Sequence, residues 1–374
     1  MKKILISGYY GFDNSGDDAI LKAIVKDLNE NSSSIKITAF SNNPTYTEKI
    51  YNIKAVNRFE IKNVIGAIKD CDLFISGGGS LLQDVTSTRS LLYYLVLMRL
   101  AKLFNKPVMV YANGIGPING KMNRFLTRRI LNRVDLITLR DEESNLFLKD
   151  LGIKNKNIHV TADPVFTLEP TEEKSIDKIL EKEGIPKDKL LVGVSVRKWD
   201  NTENLVDNVT KAIDYVIEEY GVSVVLIPMH YPEDLSISED ILDKVTKKGC
   251  YVLSVSCIGN YDEILKYNVE DIMGVIKKLE IIIAMRLHSL IYAATQGIPM
   301  VGIAYDPKIV GFLKSIDMEY MCSVENMDYN QLIKNVQYVW DNKEELRNKL
   351  IETDKEMKNR ALKNVHMALE LLKK

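Results

Sequence analysis

Several features that would fix the class of this 374-residue chain at once are scarce or missing. Cysteine is the clearest case: no two cysteines form a CxxC pair, and none stands at metal-ligand spacing from a second ligand type. The four cysteines are Cys71, Cys250, Cys257 and Cys322. We therefore expect neither a disulfide scaffold nor a metal site, but a reduced chain in the cytoplasm.

The chain also lacks an excess of either charge. Fifty Lys and Arg residues face 51 Asp and Glu residues, which gives a formal net charge of −1. Without a chain-wide basic field, nucleic acid is not an expected partner. Apolar runs are short as well: none reaches the roughly 18 residues of a membrane span, and the three apolar residues at 4–6 are too few for a signal peptide. We expect no membrane span and no secretion signal.

The chain does contain a repeated α/β pattern of alternating strand and helix segments. It is 46% hydrophobic and too long for one ordinary core, so two domains are expected. Short apolar segments recur, each followed by a small-residue turn and a helical pattern, which indicates parallel sheets. One series occupies residues 3–7, 35–40, 72–76, 108–112, 136–139 and 158–161, and a second occupies residues 190–196, 222–227, 251–253, 281–284 and 300–304.

A proline-flanked, charged segment separates the two series, with the boundary between about 165 and 180. We predict one Rossmann-like domain over residues 1–168 and a second over 169–374, with a cleft at the carboxyl ends of their strands. Residues 341–374 have the pattern of a charged, amphipathic helix pair. The pattern also allows the last helix to pack back on the first domain.

The turn after the first strand contains glycines and two carboxylates. A helix is predicted to begin near Ser15, with Asp18 three residues later in a capping-box position. The glycine spacing fits neither GxGxxG nor a P-loop, and carboxylates at a helix start repel phosphate. Hydroxyl groups of a neutral ligand such as a sugar fit this turn better. Contact of Asn14 or Asp17 with such a ligand and simple helix capping are equally favoured.

Two more glycine-rich turns follow predicted strands, at residues 76–80 and 113–117. Glycine allows a ligand to approach the backbone closely, although it also makes tight turns without any ligand. Strand ends of parallel sheets form ligand crevices, so we expect at least one of these turns to contact a ligand. Gly78, Gly79 and Asn113 are the candidates.

Basic side chains also follow predicted strands, and most of them lie in the second half. Arg286 and His288 are predicted to point to one side at the end of the strand over 281–284, and Lys308 follows the next strand. Arg140 and Arg197 come after two further strands, although Arg140 could simply pair with the acidic residues beside it. Several cations at neighbouring strand ends in a nearly neutral chain indicate a small anionic ligand. His288 could give or accept a proton.

Taken together, these segments resemble the polysaccharide pyruvyl transferase family over roughly residues 1–315, and most closely its CsaB-type members, which act on secondary cell wall polymers. The segments that carry the resemblance, in chain order, are 8–19 (GYYGFDNSGDDA), 76–80 (SGGGS), 114–117 (GIGP), 140–144 (RDEES), 162–164 (ADP), 286–289 (RLHS) and 305–308 (YDPK). One departure is Asn113, at a position where the family commonly has Gln, which puts a ligand contact from this side chain in doubt.

The resemblance implies a fold similar to that of the two-domain GT-B glycosyltransferases, but with phosphoenolpyruvate as donor. It implies transfer of a pyruvyl group, as a cyclic 4,6-ketal, onto N-acetylmannosamine of a lipid-linked disaccharide, in a pathway that anchors S-layers. No further cofactor is implied. The family's catalytic residues correspond to Arg140, His288 and Lys308, and Arg286 to a donor ligand.

By the same resemblance, the first domain would hold the acceptor and the second the phosphoenolpyruvate. Asn14, Asp17 and Gly78 would face the acceptor, with Gly79 and Asn113 next to them. Arg197 is an additional donor-binding candidate, and its role is balanced evenly between ligand contact and structure.

Two other classes stay open, because a fold does not determine a function. The chief alternative is a GT-B glycosyltransferase with a nucleotide-sugar donor, and the last is a sugar-binding protein without catalysis. The apolar segment 91–98, with Arg99, Lys102 and Lys106 beside it, fits peripheral membrane contact. A buried crossover helix is the favoured interpretation of that segment.

Overall fold

The computed structural model describes residues 1–253 and 267–373. Cys257 lies outside the described residues. The chain divides into two compact units: unit 1 contains Met1–Leu168 and Glu356–Lys374, and unit 2 contains Glu169–Lys355. Each unit is built around its own parallel sheet.

Unit 1 contains a sheet of eight parallel strands covered by helices. Its strands are β1 (Lys2–Ser7), β2 (Ile35–Ser41), β3 (Lys54–Asn57), β4 (Leu73–Ser76), β5 (Gly79–Leu82), β6 (Val108–Ile115), β7 (Leu136–Leu139) and β8 (Ile158–Val160). Its helices in this part of the chain are α1 (Ser15–Asn31), α2 (Pro44–Tyr51), α3 (Ile61–Asp70), α4 (Thr88–Leu103), α5 (Lys121–Leu131) and α6 (Glu142–Asp150). The strand order is β3-β2-β1-β4-β6-β7-β8, with β5 paired to β6.

Unit 2 contains a sheet of six parallel strands in the order β11-β10-β9-β12-β13-β14. These strands are β9 (Leu191–Ser195), β10 (Ser223–Leu226), β11 (Cys250–Val252), β12 (Leu279–Ala284), β13 (Met300–Ala304) and β14 (Met321–Ser323). The helices are α7 (Glu173–Lys182), α8 (Thr202–Tyr220), α9 (Glu233–Lys244), α10 (Val269–Lys277), α11 (Leu287–Thr295), α12 (Pro307–Ser315), α13 (Tyr329–Asp341) and α14 (Lys343–Lys373).

Both sheets have the doubly wound Rossmann arrangement, in which the strand order reverses next to the first strand. The central strands are buried on both faces because helices cover the two sides of the sheet. The run Leu73–Ser76 in unit 1 and the end of β12 in unit 2 show this: their residues are uniformly apolar or small and fully buried. The prediction of two Rossmann-like α/β domains is confirmed.

Every predicted strand is present, but three strands were missed. Two of them, β3 and β14, lie at sheet edges, where side chains are partly exposed and the apolar signal is weak. The third, β5, begins at Gly79, the last glycine of the predicted turn at 76–80. That turn is therefore shorter than predicted, because Gly79 already pairs with β6.

Three other boundaries differ from the predictions. The strand β6 continues to Ile115, so the segment 113–115 is strand rather than turn. The predicted helix pair at 341–374 is wrong: α14 is one helix of 31 residues, because no proline or glycine interrupts it. Its first part belongs to unit 2 and its last part, from Glu356, to unit 1.

The helix α4 contains the apolar segment 91–98. One side of it is buried, including Leu91, Leu95 and Met98, as expected for a helix that covers a parallel sheet. Among the described helices, none combines the length and the apolar character needed to cross a membrane.

Candidate functional site

Some of the predicted residues lie at the reversal points of the two sheets, where open parallel sheets bind ligands. In unit 1 the reversal lies between β1 and β4, followed by the segments that contain Asn14 and Gly78. In unit 2 it lies between β9 and β12, followed by Arg197 and Arg286. All these strands are parallel, so within each unit the segments share one edge of the sheet.

The helix after β1 begins one residue earlier than the capping-box prediction requires. Asn14, not Ser15, is the N-cap: its Oδ1 accepts hydrogen bonds from the backbone N–H of Gly16 at 3.0 Å and of Asp17 at 3.4 Å. The predicted Ser15 to Asp18 capping box is therefore wrong, because Asn at the preceding position supplies the cap. Asp17 is half-buried, and a Cβ built on Gly79 would lie 3.3 Å from its Oδ1.

Glycines in this region make room for Tyr10, which is almost fully buried. A Cβ built on Gly8 would lie 2.2 Å from the Cζ of Tyr10, and one on Gly77 would lie 2.2 Å from its hydroxyl oxygen. Burial raises the pKa of Tyr10 well above 10, so the hydroxyl stays protonated. Its oxygen has no hydrogen-bond partner among the described residues. Gly8 and Gly77 are thus required by packing, without reference to a ligand.

Asn113 and Gly78 are also engaged inside the protein. Asn113 is 0% exposed, and its amide Nδ2 donates to the backbone carbonyl oxygens of Ser76 and Gly77. A Cβ on the buried Gly78 would lie 2.9 Å from Ile20. Both residues fix the turn after β4, and the predicted contacts of Gly78 and Asn113 with a ligand stay predictions.

A bulge in β6 aims Asn113 at that turn. The pairing of β6 with β7 shifts between Val110 and Asn113, and Ala112 within the shift has a φ of 46°. This left-handed conformation is uncommon for a residue with a side chain and is tolerated where the surroundings hold it in place. Here the backbone N–H of Ala112 donates to Thr138 Oγ1 at 2.8 Å. Sequence analysis gave no signal for this bulge.

Arg140, after β7, lies against backbone and carboxylates. Its Nη1 donates to Asp163 Oδ2 at 3.1 Å and its Nη2 to Ser80 Oγ at 2.9 Å, while Asp141 Oδ2 lies 3.5 Å from Nε. The side chains of Arg140 and Asp163 are only 6% and 4% exposed. A Cβ on Gly114 would lie 2.8 Å from Nη2, so glycine is needed there. The positive charge of Arg140 is therefore balanced mainly by Asp163, which sequence analysis did not select.

Arg58 is a second buried arginine at this edge that sequence analysis missed. Its Nη1 donates to the backbone carbonyl of Gly8 at 3.1 Å, and its guanidinium lies 4.5 Å from the centroid of the Tyr93 ring. Phe12, Phe59 and Tyr94 also lie within 6 Å of it. Arg58 thus holds the start of the β1 turn in place. Three of its four aromatic neighbours, Phe12, Tyr93 and Tyr94, are distant from Arg58 in sequence, so no local motif marks this residue.

In unit 2, Arg286 forms a two-point ion pair with Asp234. The Nε of Arg286 donates to Asp234 Oδ2 at 2.8 Å and its Nη2 to Asp234 Oδ1. Asp234 is 0% exposed and also accepts from the backbone N–H groups of Met229 and His230. This carboxylate fixes the plane of the guanidinium, and the side chain of Arg286 keeps 14% of its surface accessible.

The helix α11 starts directly after this arginine, which corrects the predicted strand geometry. β12 ends at Ala284, Arg286 is the N-cap of α11, and His288 is in its first turn, so the two side chains are not alternate residues of a strand. Among the described residues no side chain caps the first N–H groups of α11, and its first turn contains no acidic residue. Such a helix start attracts anions. His288 is half-buried, with its ring centroid 6.4 Å from that of Tyr292.

Tyr305 connects two other predicted cations. The guanidinium of Arg197 lies 5.1 Å and the Nζ of Lys308 5.5 Å from the centroid of the Tyr305 ring, and Trp199 packs against the same ring. Lys308 also lies 3.3 Å from Asp306 Oδ2. The Nε of Arg197 is buried and has no hydrogen-bond partner within the described part of the chain. Sequence analysis selected the cations but neither aromatic residue.

Arg197, Arg286, His288 and Lys308 thus follow three adjacent strands of one sheet, β9, β12 and β13. Asn14, Asp17, Gly78, Gly79, Asn113 and Arg140 belong to the other sheet. The cleft between the domains stays a prediction. In residues 1–253 and 267–373, no group of three His, Cys, Asp or Glu side chains is placed to hold a metal ion.

Comparison of the chain with solved structures shows resemblance along its full length. HepE of Anabaena, in complex with UDP and glucose, superposes with a TM-score of 0.66 at 12% identity, over 100% of both chains. S. aureus MnaA in a co-structure with UDP gives a TM-score of 0.66 at 14% identity, over 100% of this chain and 98% of that one. At these identities the likeness shows the fold, which is of the two-domain GT-B type.

Sequence comparison identifies the family. The amylovoran biosynthesis protein AmsJ of Erwinia amylovora is 24% identical over 408 residues, covering 92% of this chain and 93% of that protein. The profile of the polysaccharide pyruvyl transferases matches residues 14–307, a span that begins at the N-cap of α1 and ends after β13, and all the predicted site residues except Lys308 lie inside it. With that match over more than half its length, the chain belongs to the polysaccharide pyruvyl transferase family.

Proposed function

We propose that this protein transfers a pyruvyl group from phosphoenolpyruvate to a sugar of a lipid-linked cell wall polysaccharide precursor and releases phosphate. The product is a 4,6-ketal, and the acceptor sugar is N-acetylmannosamine. Membership of the family supports pyruvyl transfer to a polysaccharide. The identities of the donor, of the acceptor sugar and of its lipid carrier go beyond this family match and are proposed.

The start of α11 with Arg286 in front of it is the observation that supports an anionic donor most directly. The buried Asp234 fixes the plane of the Arg286 guanidinium. Together with the uncapped backbone N–H groups of α11, this arginine forms a preorganised site for a carboxylate or a phosphate. Arg197 and Lys308 add positive charge at the neighbouring strand ends. Phosphoenolpyruvate carries both anionic groups, so one ligand could use all of these residues.

The reaction needs no net redox change. Protonation of the methylene carbon of phosphoenolpyruvate makes the adjacent C2 electrophilic, and one sugar hydroxyl adds there and loses its proton. The C2–O bond to phosphate then breaks, and the second hydroxyl attacks C2 and loses its proton, which closes the ketal. Two protons are thus released by the hydroxyls, one is taken up by the methylene, and the other leaves with phosphate.

Each cation has a proposed role in this sequence. Arg286 binds the donor, Arg197 adds a second guanidinium for it, and Lys308 stabilises the phosphate as it leaves. His288 serves as proton donor or acceptor. Arg140 is proposed to be catalytic. It acts through the guanidinium N–H groups that do not donate to Asp163 or Ser80.

The acceptor is proposed to bind in unit 1. Asp17 at the start of α1 disfavours an anion and can accept hydrogen bonds from sugar hydroxyls, and Gly79 lies beside its carboxylate. The Nδ2 group of Asn14 can donate a hydrogen bond to a sugar hydroxyl oxygen, because the cap uses only its Oδ1.

The deciding experiment incubates the purified protein with phosphoenolpyruvate and a synthetic lipid pyrophosphate that carries N-acetylmannosaminyl-N-acetylglucosamine. Mass spectrometry follows the acceptor, and free phosphate is measured in parallel. We expect a ketal on the acceptor and an equal amount of phosphate. Turnover of a nucleotide sugar instead, with no ketal, would establish the glycosyltransferase alternative. Binding of the acceptor without any turnover would establish a sugar-binding protein.

The role of His288 can then be tested by substitution. His288→Ala should lower turnover by about 10²-fold or more if the imidazole transfers a proton. His366→Ala, on the exposed side of α14, is the matched control and should leave turnover unchanged. An unchanged rate in His288→Ala would remove this residue from the mechanism while leaving the reaction itself in place.

A further inference from the structure

Charge is distributed very unevenly along unit 1. The segment 85–134 contains no Asp or Glu, although at the chain's average frequency fifty residues would hold about seven. It contains nine basic residues: Arg89, Arg99, Lys102, Lys106, Lys121, Arg124, Arg128, Arg129 and Arg133. This segment spans α4, β6 and α5, so a chain of nearly zero net charge has one strongly basic region.

The two helices of this segment pack side by side and leave a shallow groove on the surface. The groove has a volume of about 280 Å³ and is lined by apolar side chains of both helices together with three arginines. The lining arginines are Arg99 on α4, Arg129 on α5 and Arg133 just after α5. All three are exposed.

Exposed apolar side chains flank the arginines at helical spacing. On α4, Val96 is 52% exposed and lies three residues before Arg99. On α5, Phe125 is 45% exposed and lies four residues before Arg129, and Met122 is three residues further back and also exposed. Residues three or four apart share a helix face, so each helix presents apolar and basic groups on the same side.

The arginines of the groove are not used for internal ion pairs. Lys102 pairs with Asp135 and Arg124 with Asp150, but within the described residues no carboxylate lies within ion-pair distance of Arg99, Arg129 or Arg133. Three guanidinium groups without carboxylate partners around an apolar groove have the complementary charge for a layer of phosphate groups above a hydrocarbon interior.

We propose that the α4–α5 face, defined by Val96, Arg99, Phe125, Arg129 and Arg133, docks on a membrane surface that contains anionic phospholipids. The arginines contact lipid phosphates, and Val96 and Phe125 enter the interface below them. This binding is independent of the proposed reaction, since it requires neither phosphoenolpyruvate nor the sugar acceptor.

Flotation with lipid vesicles tests the proposal directly. The full-length protein is mixed with vesicles of phosphatidylcholine alone, or of phosphatidylcholine and phosphatidylglycerol, at low and at high salt. We expect binding only to the anionic vesicles, and weaker binding at high salt because the attraction is screened. Each arginine near an anionic surface contributes on the order of fivefold to partitioning. The triple variant R99E/R129E/R133E should therefore bind at least about 10²-fold more weakly.

A matched control keeps the change in net charge the same. The variant K182E/K189E/K355E alters three exposed lysines of unit 2 and should bind anionic vesicles nearly as well as the natural protein. A second variant, V96S/F125S, keeps all charges and should lose the part of the binding that resists high salt. Thermal unfolding checks that each variant is folded.

Three results would overturn the proposal. The natural protein could bind neither kind of vesicle, the arginine variant could bind as well as the natural protein, or the lysine control could lose binding equally. Failure to float, together with self-association that the arginine variant abolishes in analytical ultracentrifugation, would instead identify the face as an interface between copies of the chain. None of these results bears on the pyruvyl transfer assay.

Discussion

The ion pair between Arg286 and Asp234 determines how one key cation is presented. Asp234 is fully buried and its two oxygens accept from Arg286 and from two backbone N–H groups. A buried carboxylate of this kind is costly unless all its partners are present. The pair therefore restricts the side-chain conformation of Arg286 and fixes the orientation of its guanidinium. Binding of a planar carboxylate or a phosphate requires such a fixed orientation.

Substitution of Arg286 by Lys tests this orientation. Lys keeps the charge but cannot make the two-point contact with Asp234, so we expect kcat/KM for phosphoenolpyruvate to fall by about 10²-fold. Arg89→Lys, at an exposed position on α4, is the matched control and should have no effect. Steady-state kinetics measured by phosphate release compares the two. A loss confined to acceptor affinity would contradict a donor role for Arg286.

Asp27 on α1 is a buried carboxyl group whose ionisation depends on folding. Burial raises the pKa of Asp27 from its ordinary value of 3.8 to about 6, although Thr167 donates a hydrogen bond to its Oδ2 at 3.0 Å. Within the described residues its Oδ1 has no partner. The folded state thus binds a proton more tightly than the unfolded state, so the free energy of unfolding falls as pH rises from about 4 to about 6.

The variant Asp27→Asn should remove this dependence. At pH above the raised pKa we expect it to be more stable than the natural protein by about 1–3 kcal/mol, with the advantage shrinking as pH falls through 6 towards 4. Thermal or urea unfolding across this pH range measures the difference. Asp188→Asn, at an exposed site, is the control. A stability difference that does not change with pH would show that Asp27 does not titrate as described.

Single residues were predictable where sequence neighbours or strand ends identify them. Arg286, His288, Lys308 and Arg197 all follow strands of the second sheet, as predicted, although Arg286 and His288 belong to the start of α11 rather than to the end of β12. Their partners were not predictable. Asp234 is 52 residues from Arg286 in sequence, and a contact over such a distance depends on the folded sheet rather than on local pattern.

At the level of secondary-structure elements, α11 shows why the existence of an element is easier to predict from sequence than the residue at which it begins. Residues 281–294 are apolar except for Arg286, His288 and Ser289, and a short apolar segment does not distinguish a buried strand from a buried helix. The strand was expected to continue to His288, but the helix begins at Leu287. The correction changes chemistry as well as geometry, since it brings backbone N–H groups to the position of the predicted cations.

The last helix is held to unit 1 by a buried amide. Asn364 on α14 is 0% exposed: its Oδ1 accepts from Thr161 Oγ1 at 2.8 Å and its Nδ2 donates to the carbonyl of Ala162 at 3.1 Å. Arg360, one turn earlier, donates to the carbonyl of Thr161. These bonds reach the segment just before Asp163, the partner of Arg140, so the helix supports one part of the candidate site.

Asn364→Ala should therefore destabilise the protein by about 1–3 kcal/mol, because the carbonyl of Ala162 loses its buried donor. Asn348→Ala, on the exposed side of the same helix, should change the free energy of unfolding by less than about 0.5 kcal/mol. Urea unfolding of both variants provides the measurement. Equal effects of the two substitutions would mean that the buried amide contributes nothing beyond helix propensity.

The whole molecule repeats one sheet topology in two units, and this repetition was visible in sequence because central parallel strands are apolar throughout. Edge strands β3 and β14 were missed for the opposite reason, since they are short, partly exposed and mix apolar with polar residues. The return of α14 to unit 1 was left as an option. The stripe of apolar residues on α14 shows that this helix packs against another part of the protein, but it does not show against which unit.

Binding of the donor should protect only one of the units. We expect phosphoenolpyruvate to slow amide hydrogen exchange in the segments after β9, β12 and β13, and not in those after β1 and β4. Pyruvate alone serves as the control, because it lacks the phosphate and should protect less. Hydrogen exchange followed by mass spectrometry resolves these segments. Protection confined to unit 1 would move the donor site away from Arg286.

The division of α14 between the units has a consequence for the order of events on the ribosome. Residues 1–168 emerge first, but the helical residues from Glu356 that complete unit 1 are made only after the whole of unit 2. Until then the nascent unit 1 exposes the surface that Asn364 and its neighbours later cover. The unit that begins first on the ribosome therefore cannot complete its fold until the other unit has been fully translated.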